Sequence, residues 1–195
     1  MSIPPPVSPK HALREELVAA RLRLAPDDRA ARADRIADRV LALDAFARAG
    51  TVALYASLGA EVDPARIASE AAALGKRLAY PRLVSGERAL RFARGLPGAL
   101  VAGPYRTLEP PPDAEPIALG EIGLIVVPGV GFDAACRRLG RGRGHYDATL
   151  AALPPGAVRL GLAFEVQLVA AVPEEAHDVA LDAVVTEERV LWRSR

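Results

Sequence analysis

The run Arg138-Leu139-Gly140-Arg141-Gly142-Arg143-Gly144-His145-Tyr146-Asp147 combines residue types that suit an anion. Glycine at 140, 142 and 144 removes alternate side chains, so backbone N–H groups can approach an anion closely. Arg141 and Arg143 stand between them with planar, permanently charged forks that match phosphate oxygens. A helix is expected from about His145 to Leu153, and its N-terminus would aim at the same point. Asp147 falls in the first turn of that helix. There it serves either as a partner of the helix dipole or, beside a polyphosphate, as a Mg²⁺ ligand, because Mg²⁺ is usually held by one or two carboxylates plus phosphate oxygens. Asp178 and Asp182 flank a strand expected to end at Thr186 and are candidates for a second carboxylate. Taken alone, the loop also fits a solvated arginine-rich segment or a small RNA-contacting loop.

Two standard nucleotide motifs fit poorly. Gly129-x-Gly131-x-x-Ala134 matches a dinucleotide fingerprint in form, but Pro128 intervenes and no acidic residue follows at the end of a second strand. A P-loop needs Gly-Lys-Ser/Thr, which does not occur. Lys10 and Arg14, four apart, share one face of a predicted helix. That face is either a solvated basic stripe or a second group of phosphate contacts. Lys10 and Lys76 are the only lysines among 25 cationic residues, which makes a compact point charge at 10 notable.

The elements that must position these residues follow from periodicity and breakers. Helices are expected over Lys10–Leu24, with Leu13, Leu17 and Leu24 inward, and from Pro26 to about Ala47, with Ile36, Val40 and Leu43 inward. Another runs from about Pro64 to Leu74, with Asp63 as N-cap. Strands are expected at Thr51–Ser57, Arg77–Tyr80 (ended by Pro81), Ala89–Phe92, Ile122–Val127, Val158–Phe164, Ala180–Thr186 and Arg189–Trp192. A helical turn is expected over Gln167–Val172. The Pro- and Gly-rich stretch from Leu96 to Pro116 reads as a long surface loop. Strands alternating with helices indicate an α/β fold with a largely parallel central sheet flanked by helices, and the Gly/Arg loop follows the strongest strand, where ligands bind in open α/β sheets.

With 25 basic and 24 acidic residues the net charge is +1, which argues against general nucleic-acid binding and requires any polyanion site to be local. Cys136 is the only cysteine, which excludes an intrachain disulfide or a cysteine-based zinc site and indicates a reducing compartment. The first nine residues carry Pro4, Pro5, Pro6 and Pro9 and no apolar core, so they read as a disordered leader rather than a signal peptide. A cytoplasmic protein of one domain over 1–195, without membrane or nucleic-acid partners, is expected.

Pro128-Gly129-Val130-Gly131-Phe132-Asp133 continuing through Arg138 to Asp147 resembles the signature of the 5-formyltetrahydrofolate cyclo-ligase family, also called 5,10-methenyltetrahydrofolate synthetase. Supporting matches are Lys10-x-x-x-Arg14, Tyr55-x-Ser57 with Glu61-Val62-Asp63, Tyr80-Pro81-Arg82, Ala163-Phe164-x-x-Gln167, and His177-Asp178 through Asp182 to Thr186. The chain departs from the pattern at Cys136, where the family has glycine, and at His145, where an aromatic residue, usually tyrosine, is common. The resemblance implies a three-layer architecture of the NagB/RpiA/CoA-transferase-like type and a monomer acting on a reduced folate.

It also implies an ATP- and Mg²⁺-dependent cyclisation of 5-formyltetrahydrofolate to 5,10-methenyltetrahydrofolate. The formyl oxygen takes the γ-phosphoryl group, N10 attacks the activated carbon, and phosphate leaves. Carried onto this chain, Lys10, Arg14, Arg138, Leu139, the Gly140–Gly144 backbone, His145 and Tyr146 would hold ATP. Arg141 and Arg143 would neutralise charge on the transferring group. Asp147 with Asp182 would hold Mg²⁺. Tyr55, Ala56, Glu61, Tyr105 and His145 would form the folate pocket, with Glu61 accepting from pterin N–H donors. On its own, Glu61 also reads as a charge near the start of the helix after Asp63.

Overall fold

The computed structural model describes residues 8–194. The leader expected over 1–9 falls outside them except for Ser8, whose side chain caps the first helix, and Pro9, which begins it. Helices are α1 (Pro9–Leu22), α2 (Pro26–Leu41), α3 (Asp44–Arg48), α4 (Ala65–Ala73) and α5 (His145–Ala152). Strands are β1 (Thr51–Ala53), β2 (Arg77–Arg82), β3 (Arg91–Arg94), β4 (Val101–Ala102), β5 (Leu108–Glu109), β6 (Pro116–Ile117), β7 (Leu124–Val127), β8 (Gly131–Asp133), β9 (Arg138–Leu139), β10 (Val158–Leu162), β11 (Leu168–Val169), β12 (Ala183–Val185) and β13 (Val190–Trp192).

The main sheet has the order β13-β12-β10-β7-β1-β2-β3-β6. Its interior strands β12, β10, β7, β1 and β2 run parallel, while β13, β3 and β6 add antiparallel edges. Both faces are covered, as parallel sheets require. Val52, Leu124, Val126, Leu160 and Leu162 pack with Ile36 and Val40 of α2, Phe46 of α3 and Ile67 of α4. Their alternates Ala53, Ile125, Val127 and Val184 pack with Leu150 of α5 and with Phe132. This two-residue alternation assigns each side chain to one helical layer. A second sheet, β11-β8-β9, continues from the end of β7, and α1 docks on it through Leu13 and Leu17 with Val130 and Leu139.

Several segments differ from expectation, among them the strand expected over Thr51–Ser57, which ends at Ala53. The helix from Pro26 does not run to Ala47: it ends at Leu41, Leu43 adopts extended backbone, and α3 restarts at Asp44 so that Phe46 reaches the core. Pro81 does not end β2, which continues to Arg82 with Pro81 opposite Phe92. The helical turn expected over Gln167–Val172 is instead a 3₁₀ turn at Glu165–Gln167 followed by β11. The buried Gln167 amide causes this by accepting from Phe164 N–H at 3.0 Å and donating to the Gly129 and Val130 carbonyls at 3.1 and 2.9 Å. Leu168 and Val169 are thereby set beside Phe132 and Asp133. Within the expected 96–116 loop, β4 and β5 form a hairpin whose tip holds Tyr105 and Arg106 at φ 55° and 62°.

Candidate active site

A cavity of about 600 Å³ lies beyond the carboxyl ends of β1 and β7, between α1, the Gly/Arg loop and the β4–β5 hairpin. The expected site residues line it, except Asp182. Asp182 immediately precedes β12, where its Oδ2 accepts from the Arg159 amide at 2.8 Å and Arg193 approaches at 3.6 Å. The strand pairing of β10 with β12 holds it there, and the carboxylate of that pair which reaches the cavity is Asp178.

The loop is shaped by its glycines. Gly142 and Gly144 have φ of 91° and 70°, a region that side chains disfavour, and Gly144 leads directly into α5. At Gly140 a Cβ would lie 2.5 Å from Arg138 Nη1. That guanidinium is buried, and its Nη2 donates to both carboxylate oxygens of Asp147 at 2.9 Å. Arg138 therefore orients Asp147 in the first turn of α5 and packs 5.7 Å from the Tyr146 ring centre. Arg14 donates from Nε to the Gly140 carbonyl at 2.8 Å, tying α1 to the loop.

The remaining cations also have partners. Lys10 Nζ reaches Asp178 at 2.6 Å and Glu175 at 3.3 Å. Burial alone would raise the Asp178 carboxyl, but hydrogen bonds from Lys10 and the Glu175 amide hold its pKa below the usual value. Arg141 binds Glu61 Oε1 through Nε at 3.1 Å and Nη2 at 2.7 Å, while the Leu58 amide donates to Oε2 at 2.9 Å. The Arg143 guanidinium lies 4.0 Å over the Tyr105 ring. His145 Nδ1 donates to the Arg88 carbonyl at 2.8 Å, which leaves Nε2 for other contacts. The Tyr55 hydroxyl is spent on the Val62 carbonyl at 2.6 Å, so its ring is what it offers the cavity. Burial pushes the Tyr55 and Tyr146 hydroxyls above the usual phenol value, and both stay neutral donors.

Glu109 was not anticipated. This buried carboxylate lines the cavity and accepts from the Leu83 amide and Thr107 hydroxyl at 3.3 and 3.1 Å. A single Glu beside three prolines carries no sequence signal. Cys136 is buried with φ 59°, a backbone region that favours glycine. Among the described residues no helix is long and apolar enough to cross a membrane, and no three His, Cys, Asp or Glu side chains cluster as a metal site.

The model of the 5-formyltetrahydrofolate cyclo-ligase family matches residues 6–187. The chain belongs to that family. Among similar members, the 5-formyltetrahydrofolate cyclo-ligase of Mycolicibacterium smegmatis is 33% identical over 145 residues, covering 71% of this chain and 74% of its own. The Escherichia coli K12 cyclo-ligase is 30% identical over 174 residues, covering 87% and 96%. The structure of Aquifex aeolicus 5,10-methenyltetrahydrofolate synthetase superposes with a TM-score of 0.82 at 28% identity, covering 95% of this chain and 93% of that one. The α/β fold with its mostly parallel sheet is thus the fold of a cyclo-ligase family member.

Proposed function

We propose that this cavity binds ATP at the Gly/Arg loop and 5-formyltetrahydrofolate beside Glu61, and converts the folate to 5,10-methenyltetrahydrofolate with release of ADP and phosphate. The observation that carries this reading is that Arg141 of the phosphate-suited loop and the buried carboxylate of Glu61 meet in one cavity. The nucleotide and the pterin would therefore lie side by side. The helical layers on both sheet faces also fit the NagB/RpiA/CoA-transferase-like architecture.

Lys10 and Arg14 on α1, the backbone amides at 140–144 and the α5 N-terminus supply the positive field for phosphates. Arg141 and Arg143 are on glycine-flanked backbone and would leave Glu61 and the Tyr105 ring to follow charge as it moves to the formyl oxygen. Asp147, presented at the cavity by Arg138, fits the preference of Mg²⁺ for one carboxylate with phosphate oxygens, and the ion would neutralise phosphate charge. Glu61 accepts from pterin N–H groups, and the Tyr55, Tyr105 and His145 rings line the folate side. By holding both substrates in reach the site supplies proximity as well as charge.

Purified protein incubated with 5-formyltetrahydrofolate and Mg-ATP should show the absorbance rise of the methenyl product. Folded protein without turnover would remove the substrate assignment.

A further inference from the structure

Glu109 is the cavity carboxylate without a role in the proposed function. Glu61 is paired with Arg141, Asp147 with Arg138, and both Glu175 and Asp178 with Lys10. Glu109 is only 7% exposed and meets no cation among the described residues. Its two hydrogen bonds both fall on Oε1, from the Leu83 amide at 3.3 Å and from a Thr107 hydroxyl that also lies 2.6 Å from the Pro104 carbonyl. Oε2 accepts none among the described residues. A buried carboxylate with so few donors is left short of hydrogen bonds, and a donor on a ligand would supply one. The hairpin closes tightly on this side chain. A Cβ on Gly103 would lie 2.6 Å from Glu109 Cγ and Cδ, so any larger residue there would displace the carboxylate.

Its neighbours relate it to the reacting atoms. Glu61 follows β1, and Leu83, which donates to Glu109, follows the adjacent parallel strand β2. The two carboxylates therefore stand at neighbouring strand ends of one cavity. Tyr105 is on the same hairpin as Glu109, and its ring carries the Arg143 guanidinium at 4.0 Å. With the donor edge of the pterin at Glu61, N10 lies on the far side of the formyl group, toward that hairpin.

We propose that Glu109 is the general base that takes the N10 proton as N10 attacks the phosphorylated formyl carbon. This rests on the proposed function. N10 is a secondary amine in the substrate and carries no hydrogen in the methenyl product, so the reaction needs a proton acceptor. The bond from N10 to the formyl carbon forms, while N10–H and the carbon–oxygen bond to phosphate break. The proton passes to Glu109 Oε2, the carbon–oxygen electron pair leaves with the phosphate, and the carboxyl returns its proton to that phosphate.

The test compares the wild type with Glu109→Gln, which keeps an acceptor for Leu83 and Thr107 but has no carboxylate to take a proton. Methenyl formation, the dissociation constant of 5-formyltetrahydrofolate, and exchange of a heavy-oxygen label from the βγ-bridge to the β-nonbridging positions of Mg-ATP in the presence of the folate are measured. The exchange reports phosphoryl transfer without cyclisation. Methenyl formation should fall about 10²–10⁴-fold, the range for a lost general base, while label exchange is seen in the variant. The folate constant should change less than about threefold. An unchanged methenyl rate, loss of exchange together with methenyl formation, or folate affinity reduced as much as the rate would overturn the proposal. If Glu109→Gln does not fold, Glu109→Asp draws the carboxylate back by one methylene and should slow methenyl formation at least about tenfold with exchange retained. An unchanged rate in that variant would equally overturn it. A wild-type protein that forms no methenyl product would instead remove the function on which the proposal rests.

Discussion

At the scale of single residues the site is a set of mutually neutralised charges: Arg138 with Asp147, Arg141 with Glu61, Lys10 with Asp178. Ligands must exchange these pairs, so each partner's removal should be felt by one ligand more than the other. Glu61→Gln should weaken folate by about 10–100-fold, the worth of roughly 1.5–3 kcal/mol for hydrogen bonds to a charged group, with little change for ATP in calorimetry. Gly140→Ala should act the other way, because its Cβ would displace Arg138 and with it Asp147. ATP affinity should fall by at least about tenfold, and an unchanged value would mean that the loop relaxes without loss. Cys136 is buried and its thiol is pushed up to about 11, chiefly by burial, so thiol reagents should label it only on unfolding. The unfolded chain ionises this thiol first, so its contribution to stability should decline as pH rises above about 8.5. The glycines, the alternating arginines and Asp147 were legible in the sequence, because the chemistry of an anion loop is local. Glu109 was not, since its meaning lies in what the fold packs against it. Asp182 misled because strand pairing, invisible in residue type, turns it away from the cavity.

At the scale of elements, the working unit is α1 on the β8–β9–β11 sheet. Leu17 fits against Gly131, where a Cβ would lie 2.3 Å from Leu17 Cδ1. Gly131→Ala should therefore shift α1, destabilise the protein by about 1–3 kcal/mol in denaturant melts, and weaken ATP binding through Lys10 and Arg14. A stability loss with unchanged ATP affinity would show that α1 does not carry those cations to the nucleotide. The α1 face was readable from Leu13 and Leu17. Its dock was not, because β8, β9 and β11 are strands of two or three residues. Such strands are too short for periodicity to reveal, and they owe their form to the Gln167 amide and to pairing across the loop.

At the scale of the whole molecule, the parallel sheet brings a helix from the start of the chain and a loop some 130 residues later to one end. The alternation of apolar strand runs such as β1, β7 and β10 with helical segments made the α/β class readable. The hairpin over the cavity was hidden in a proline-rich stretch whose left-handed tip no local pattern encodes. Under the proposed function, this end of the sheet couples nucleotide breakdown to folate cyclisation in one cavity. The direct test is ADP release, followed with Mg-ATP in the presence and absence of 5-formyltetrahydrofolate alongside methenyl formation. ADP and methenyl product should appear in equimolar amounts, with negligible ADP when folate is omitted. Folate-independent ADP release at the same rate, or methenyl formation without ADP, would contradict that coupling.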